Sequence, residues 1–154
     1  MVDDQDLARL ERQLGRAPIP PVRVACRCAA GWPVVVEQPE RGPDGEPFPT
    51  AFWLSCPGLV KAVSRLEGAG GVRALERRLD EDPALAAAFD RAMERHRTLR
   101  HEQGLGIGGV RAPRAVKCLH AHVAFARAAP PHPAGDDVLR EACWIPAACC
   151  MEGV

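Results

Sequence analysis

The chain has 154 residues, 47% of them apolar and 26% charged, with 20 basic and 20 acidic side chains that leave no formal net charge. This length accommodates one core of ordinary size and not two, and the composition excludes a disordered or fibrous chain. Zero net charge excludes a global field that would recruit nucleic acid or a membrane surface, so neither is an expected partner.

The opening residues 1–10 are acidic and amphipathic, unlike a secretory signal, and no stretch approaches the roughly 20 apolar residues that span a bilayer. The expected compartment is therefore the cytoplasm. There the seven cysteines are expected as ligands, reactive thiols or core fillers, not as disulfides.

Leu7, Leu10 and Leu14 recur on one face of a predicted helix over 3–15, with Gly15 as its stop. After the breaker run 17–21, Val22, Val24, Cys26 and Cys28 alternate with Arg23 and Arg27. That pattern predicts a strand with both cysteines on one face. Strands follow over 33–37 and 50–55, on either side of a Pro43-Asp44-Gly45 turn. Three strands so close in sequence predict an antiparallel meander.

Beyond Cys56-Pro57 the pattern is helical. Helices are expected over 57–67, with Pro57 at the first helical position, over 72–80, from Asp82-Pro83 to 102, from Pro113 to 128, and over 136–143. The fold class is α+β: a small antiparallel three-stranded sheet near the N-terminus packed by about five helices. A single domain over 1–145 is followed by an irregular tail over 146–154.

Lys117-Cys118-Leu119-His120-Ala121-His122 is the densest group of possible ligands. On a continuous helix Cys118 and His122 share a face and His120 points away. Tetrahedral zinc takes four protein ligands, or three and a water. The strand ends supply Cys28 and Cys56, so a site of Cys28, Cys56 and Cys118 with His120 or His122 is geometrically allowed, for zinc or for an iron–sulfur cluster. The bland alternative makes the thiols small buried hydrophobes and the histidines ordinary hydrogen-bonding groups. Cys143, Cys149 and Cys150 read as surplus thiols of the tail.

A competing enzyme reading makes Cys56 a nucleophile acidified at a helix N-terminus, with His122, His120 or His96 as base. An anionic, phosphate-containing substrate would then meet Arg65, His96, Arg114 and Lys117. Ala62 stands where one class of cysteine phosphatase carries an arginine. The run from Gly104 to Gly109 fits G-x-G-x-x-G only formally, because it follows a helix and no βαβ unit surrounds it. It is expected as a hinge, or as a backbone nest for an anion.

Several motifs occur in one order: Gly15-Arg16, Arg27-Cys28, Asp44-Gly45, Phe52-Trp53-Leu54-Ser55-Cys56-Pro57, Ser64-Arg65-Leu66-Glu67, Gly106-Ile107-Gly108-Gly109 and Lys117-Cys118-Leu119-His120. Together, over roughly 7–139, they resemble the bacterial family called domain of unknown function five hundred and one. The resemblance implies no established activity. It implies a loose link to septum-formation or polyphosphate proteins through gene neighbourhood, hence a third reading as a non-catalytic adaptor.

The family pattern marks Arg27-Cys28, Cys56-Pro57 and Lys117-Cys118-Leu119-His120, with histidine sometimes standing before the proline. A metal ligand tolerates that exchange and a nucleophile does not. The pattern favours His120, whereas helix geometry favours His122. His132-Pro133 departs from the family's usual Asn-Pro. The leading expectation is a cytoplasmic metal-binding protein.

Overall fold

The computed structural model describes residues 2–151; Met1 and the last three residues of the tail lie outside them. Helix α1 (Asp4–Leu14) starts where the Asp3 carboxylate accepts from the Asp6 N–H at 2.8 Å, and ends at Gly15 in the left-handed region. Its buried Asp6 takes the Arg27 guanidinium through two bonds of 2.7 and 2.8 Å, and Gln13 donates to the Pro33 carbonyl at 2.8 Å. The helix is thereby tied to the first strand pair.

Strands β1 (Arg23–Arg27), β2 (Pro33–Glu37) and β3 (Phe52–Leu54) form the expected antiparallel meander in that order. The two-residue alternation of β1 does not survive. Val24 faces Val36 and Cys26 faces Val35, leaving Ala25 as an extra residue, and the register shifts again before Arg27 pairs with Pro33. A bulge re-aims the side chains that follow it. Cys26 receives a hydrogen bond from Arg127 at 3.4 Å, while Cys28 lies past the strand in a turn closed by the Gly31 N–H.

Five helices follow: α2 (Pro57–Gly68), α3 (Gly71–Glu81), α4 (Pro83–Leu99), α5 (Leu119–Ala128) and α6 (Pro133–Glu141). Pro57 begins α2 and Pro83 begins α4, whose N-terminus is capped by Asp82. Helix α5 is buried almost all round and packs on all three strands and on α6. Val35, Phe52, Leu59, Phe89, Val123 and Phe125 make up the centre of the core. None of the helices among the described residues is long and apolar enough to cross a membrane.

Helix α5 starts six residues later than its sequence pattern suggests. Arg114 sits at φ +56° with its guanidinium on the Asp90 carboxylate, and Cys118 is fully extended at φ −151°, ψ 154°. From a turn at Pro113-Arg114 the chain therefore reaches α5 as a non-helical arm, and Cys118 is its N-cap residue.

Helices α5 and α6 meet at Gly135, where a Cβ would stand 2.4 Å from the His122 carbonyl oxygen and 2.7 Å from the Ala126 Cβ. Backbone cannot yield there as a side-chain tip can. Gly135→Ala is expected to cost about 3 kcal/mol of unfolding free energy, as overpacking does in a rigid contact. Urea denaturation checks this, and an unchanged midpoint would mean that α6 slides off α5 freely.

Candidate metal centre

Val60, Ser64 and Glu67 lie at helical spacing on α2 and all three reach the first turn of α5. The first N–H groups of a helix have no partner within it. Cys118 makes no side-chain cap bond; the Glu67 carboxylate takes that role, accepting from the Leu119 N–H at 2.6 Å. The same oxygen lies 3.0 Å from His120 Nδ1. His120 Nε2 faces the Ser64 hydroxyl at 3.1 Å and the Val60 carbonyl at 3.3 Å.

One donor atom from each of Glu67, Cys118 and His120 lies within 4.8 Å of the other two. Tetrahedral zinc holds such donors about 3.4–3.8 Å apart, given bonds of roughly 2.0–2.3 Å. Closure onto one ion thus needs a shift of about an ångström. The donor chemistry fits: one carboxylate, one thiol and one imidazole, the last with its second nitrogen on a backbone carbonyl as metal-bound histidines usually have it. His120 is pushed up to about 9 by its hydrogen bond to Cys118, then by the Glu67 charge and the Val60 carbonyl, against the opposing effect of burial.

Cys118 and His120 open onto a cavity of about 320 Å³. Phe52, Trp53, Leu54 and Val60 supply apolar walls, and the exposed Lys117 brings a positive charge. A cleft of this size fits a small organic ligand. A second group that could hold an ion, Glu40, His101 and Glu102, is mostly exposed, and its Glu102 is engaged by Arg41 at 2.8 Å.

The single site expected from sequence separates into two. Cys118 and His120 line the larger cavity, while Cys28 and Cys56 line another, of about 10 Å³, together with Cys149 and Cys150. His122 is not on a shared face with Cys118, because Cys118 precedes the helix. It is fully buried, stacked on Phe89 and bonded through Nδ1 to His132 Nε2 at 2.9 Å.

Cys56 is 5% exposed and burial raises its thiol to about 11, more than the N–H groups of Leu59 and Gly58 offset. That opposes the thiolate which a nucleophilic role requires.

The residues expected to meet an anion do not face one place. His96 is enclosed, with Nδ1 2.7 Å from the Leu105 carbonyl and Nε2 accepting from the Ala51 N–H at 3.1 Å. Arg114 is held by Asp90, Arg65 is exposed on α2, and Lys117 lines the larger cavity. Leu105 to Gly108 of the glycine-rich loop are buried, so the loop fills the interior and is neither a nest nor a hinge.

Sequence reasoning missed Glu67 as a possible ligand, since it entered only as the last residue of the Ser64-Arg65-Leu66-Glu67 motif. The signal for Glu67 was its spacing of three from Ser64, which puts both on one stripe of α2.

Fold and site together define an α+β protein with a Cys/His/Glu donor group beside an apolar cleft. Its sequence places it more narrowly: the family described as protein of unknown function (DUF501) matches residues 24–104 and 93–140, and the chain belongs to that family. No curated protein and no solved structure matches it significantly.

Proposed function

We propose that this chain binds zinc through Glu67, Cys118 and His120, with the ion's fourth position open to the adjoining cleft, where a small, largely apolar ligand with an anionic group is held. The observation that carries this reading is the convergence of three different donor types at the mouth of that cleft. Three protein ligands and one open position is the arrangement of catalytic zinc, whereas structural zinc is closed by four. A lone thiolate among nitrogen and oxygen donors suits zinc better than an iron–sulfur cluster, which is held by several thiolates. Lys117 at the rim supplies charge for the ligand's anionic group.

The test is zinc affinity by competition with a chromophoric chelator, in protein whose Cys149 and Cys150 are serine so that tail thiols do not contribute. Cys118→Ala and Glu67→Gln are expected to weaken binding by roughly a hundredfold or more, and Ser64→Ala by about tenfold, as for loss of a ligand and of an outer partner. Unchanged affinity in folded Cys118→Ala would sink the reading.

A further inference from the structure

We infer that Cys56 and Cys150 form a redox-sensitive latch, in which a peroxide joins the two thiols in a disulfide that pins the C-terminal tail to the start of α2. Neither cysteine belongs to the donor group of Glu67, Cys118 and His120.

The two residues are 94 apart in sequence, yet Cys150 Sγ lies 3.6 Å from Cys56 Sγ, with the sulfurs in contact. A disulfide of about 2.05 Å requires them to close by roughly 1.5 Å. Cys56 is the N-cap residue of α2 and is buried in the core, whereas Cys150 is exposed. Gly58 makes room for the tail, since a Cβ there would stand 3.2 Å from the Cys150 Cβ and 3.4 Å from its sulfur.

The tail reaches this place by contacts of its own. The Ala29 N–H donates to the Pro146 carbonyl at 3.1 Å, Met151 is buried, and the Arg127 guanidinium stacks 5.7 Å from the Trp144 ring centre. Pro146 and Met151 flank Cys150, so the fold itself delivers its thiol to Cys56.

The difference in exposure sets the order of events. Peroxide meets Cys150 first, while burial keeps Cys56 a neutral thiol. The Cys150 thiolate attacks one peroxide oxygen and the O–O bond breaks. Cys150 becomes a sulfenic acid, and the departing hydroxide takes up the thiol's proton as water. The Cys56 sulfur then attacks the Cys150 sulfur. The S–S bond forms as the S–O bond breaks, and the second hydroxide leaves with the Cys56 proton, again as water. Two thiols are oxidised and one peroxide is reduced to two waters. The loop so closed contains every helix from α2 to α6.

The experiment treats the reduced full chain with one equivalent of hydrogen peroxide near neutral pH, in EDTA so that no metal shields a thiol, and maps unreduced peptides by mass spectrometry. A Cys56–Cys150 bond within one chain is expected as the principal product, reversed by dithiothreitol. It should form roughly tenfold or more faster in the folded chain than in urea, because the fold presets the geometry. Cys150→Ser is expected to abolish the bond and leave Cys56 unmodified, whereas Cys149→Ser should retain it. Oxidation should raise the urea midpoint of the parent by about 1–2 M, as closure of so long a loop does, and should not raise that of Cys150→Ser. Equal rates in folded and unfolded chain would overturn the proposal. So would Cys149 serving as well as Cys150, or Cys150 advancing to sulfinic acid beside a free Cys56 thiol.

Discussion

Between pH 7 and pH 5 the protein is expected to lose on the order of 5 kcal/mol of unfolding free energy, much of what a domain this size has. The cause is three buried neutral histidines. Burial lowers His96 to about 4, His122 to about 3 and His132 to about 4. Nearby cations act in the same direction, Arg100 and Arg97 on His96 and Arg95 on His132, and a proton on His132 or His96 would further disfavour one on His122.

In the unfolded chain each titrates near 6.5. The unfolded state therefore binds more protons between those limits, and stability falls as pH drops below 6.5 toward 4, by about 2 kcal/mol per histidine at pH 5.

The His122–His132 contact sharpens this. One proton sits between His122 Nδ1 and His132 Nε2, while His122 Nε2 and His132 Nδ1 are buried without partners. Neutral rings leave one donor and one acceptor unsatisfied, and either ring gaining a proton adds an unpaired buried charge. Urea unfolding across pH 5–7 measures the slope. His132→Asn, which keeps an N–H for His122 and does not titrate, should reduce the proton uptake on unfolding by about one. A stability curve flat from pH 7 to 5 would rule out neutral burial.

Arg100→Met is expected to cost about 3–5 kcal/mol, the range for disrupting a buried, hydrogen-bonded charge. Arg100 is 3% exposed and its guanidinium faces no carboxylate directly. It donates instead to backbone carbonyls: Phe48 at 2.9 Å, Gln38 at 2.7 Å, Thr50 and Leu99 at 3.3 Å, and Pro39 at 3.4 Å. These acceptors fix both ends of the long connection between β2 and β3. Methionine fills similar space but leaves buried carbonyls without donors. A lysine in its place would carry the charge without the planar fork, so Arg100→Lys should recover only part of the loss. Equal stability of Arg100→Met and the parent in urea would remove this account, and faster amide exchange at Phe48 and Ala51 in the variant would support it.

The meander and the helices were legible because period-two and period-3.6 patterns, Pro57, Pro83 and Asp82 are local signals. What misled was tertiary override of such signals. The alternation around Cys26 and Cys28 is broken by a bulge that depends on pairing with β2. The helical pattern around Cys118 continues unbroken from Pro113, yet Asp90 holds Arg114 and Glu67 caps α5, both from distant parts of the chain. His96 read as an anion-binding residue for the same reason: nothing nearby in sequence announces the Leu105 carbonyl and the Ala51 N–H that it serves. Cys118 and His120 were picked out by residue type, whereas their third partner, Glu67, is brought by the packing of α2 on α5.

The contact of α5 with all three strands also bears on how the protein is made. The sheet is complete by Leu54, but the helix that covers it ends only at Ala128. At roughly 5–20 residues per second, several seconds of translation separate the two. For that time Val35 and Phe52, both sealed in the finished core, belong to a nascent chain whose cover has not yet left the ribosome.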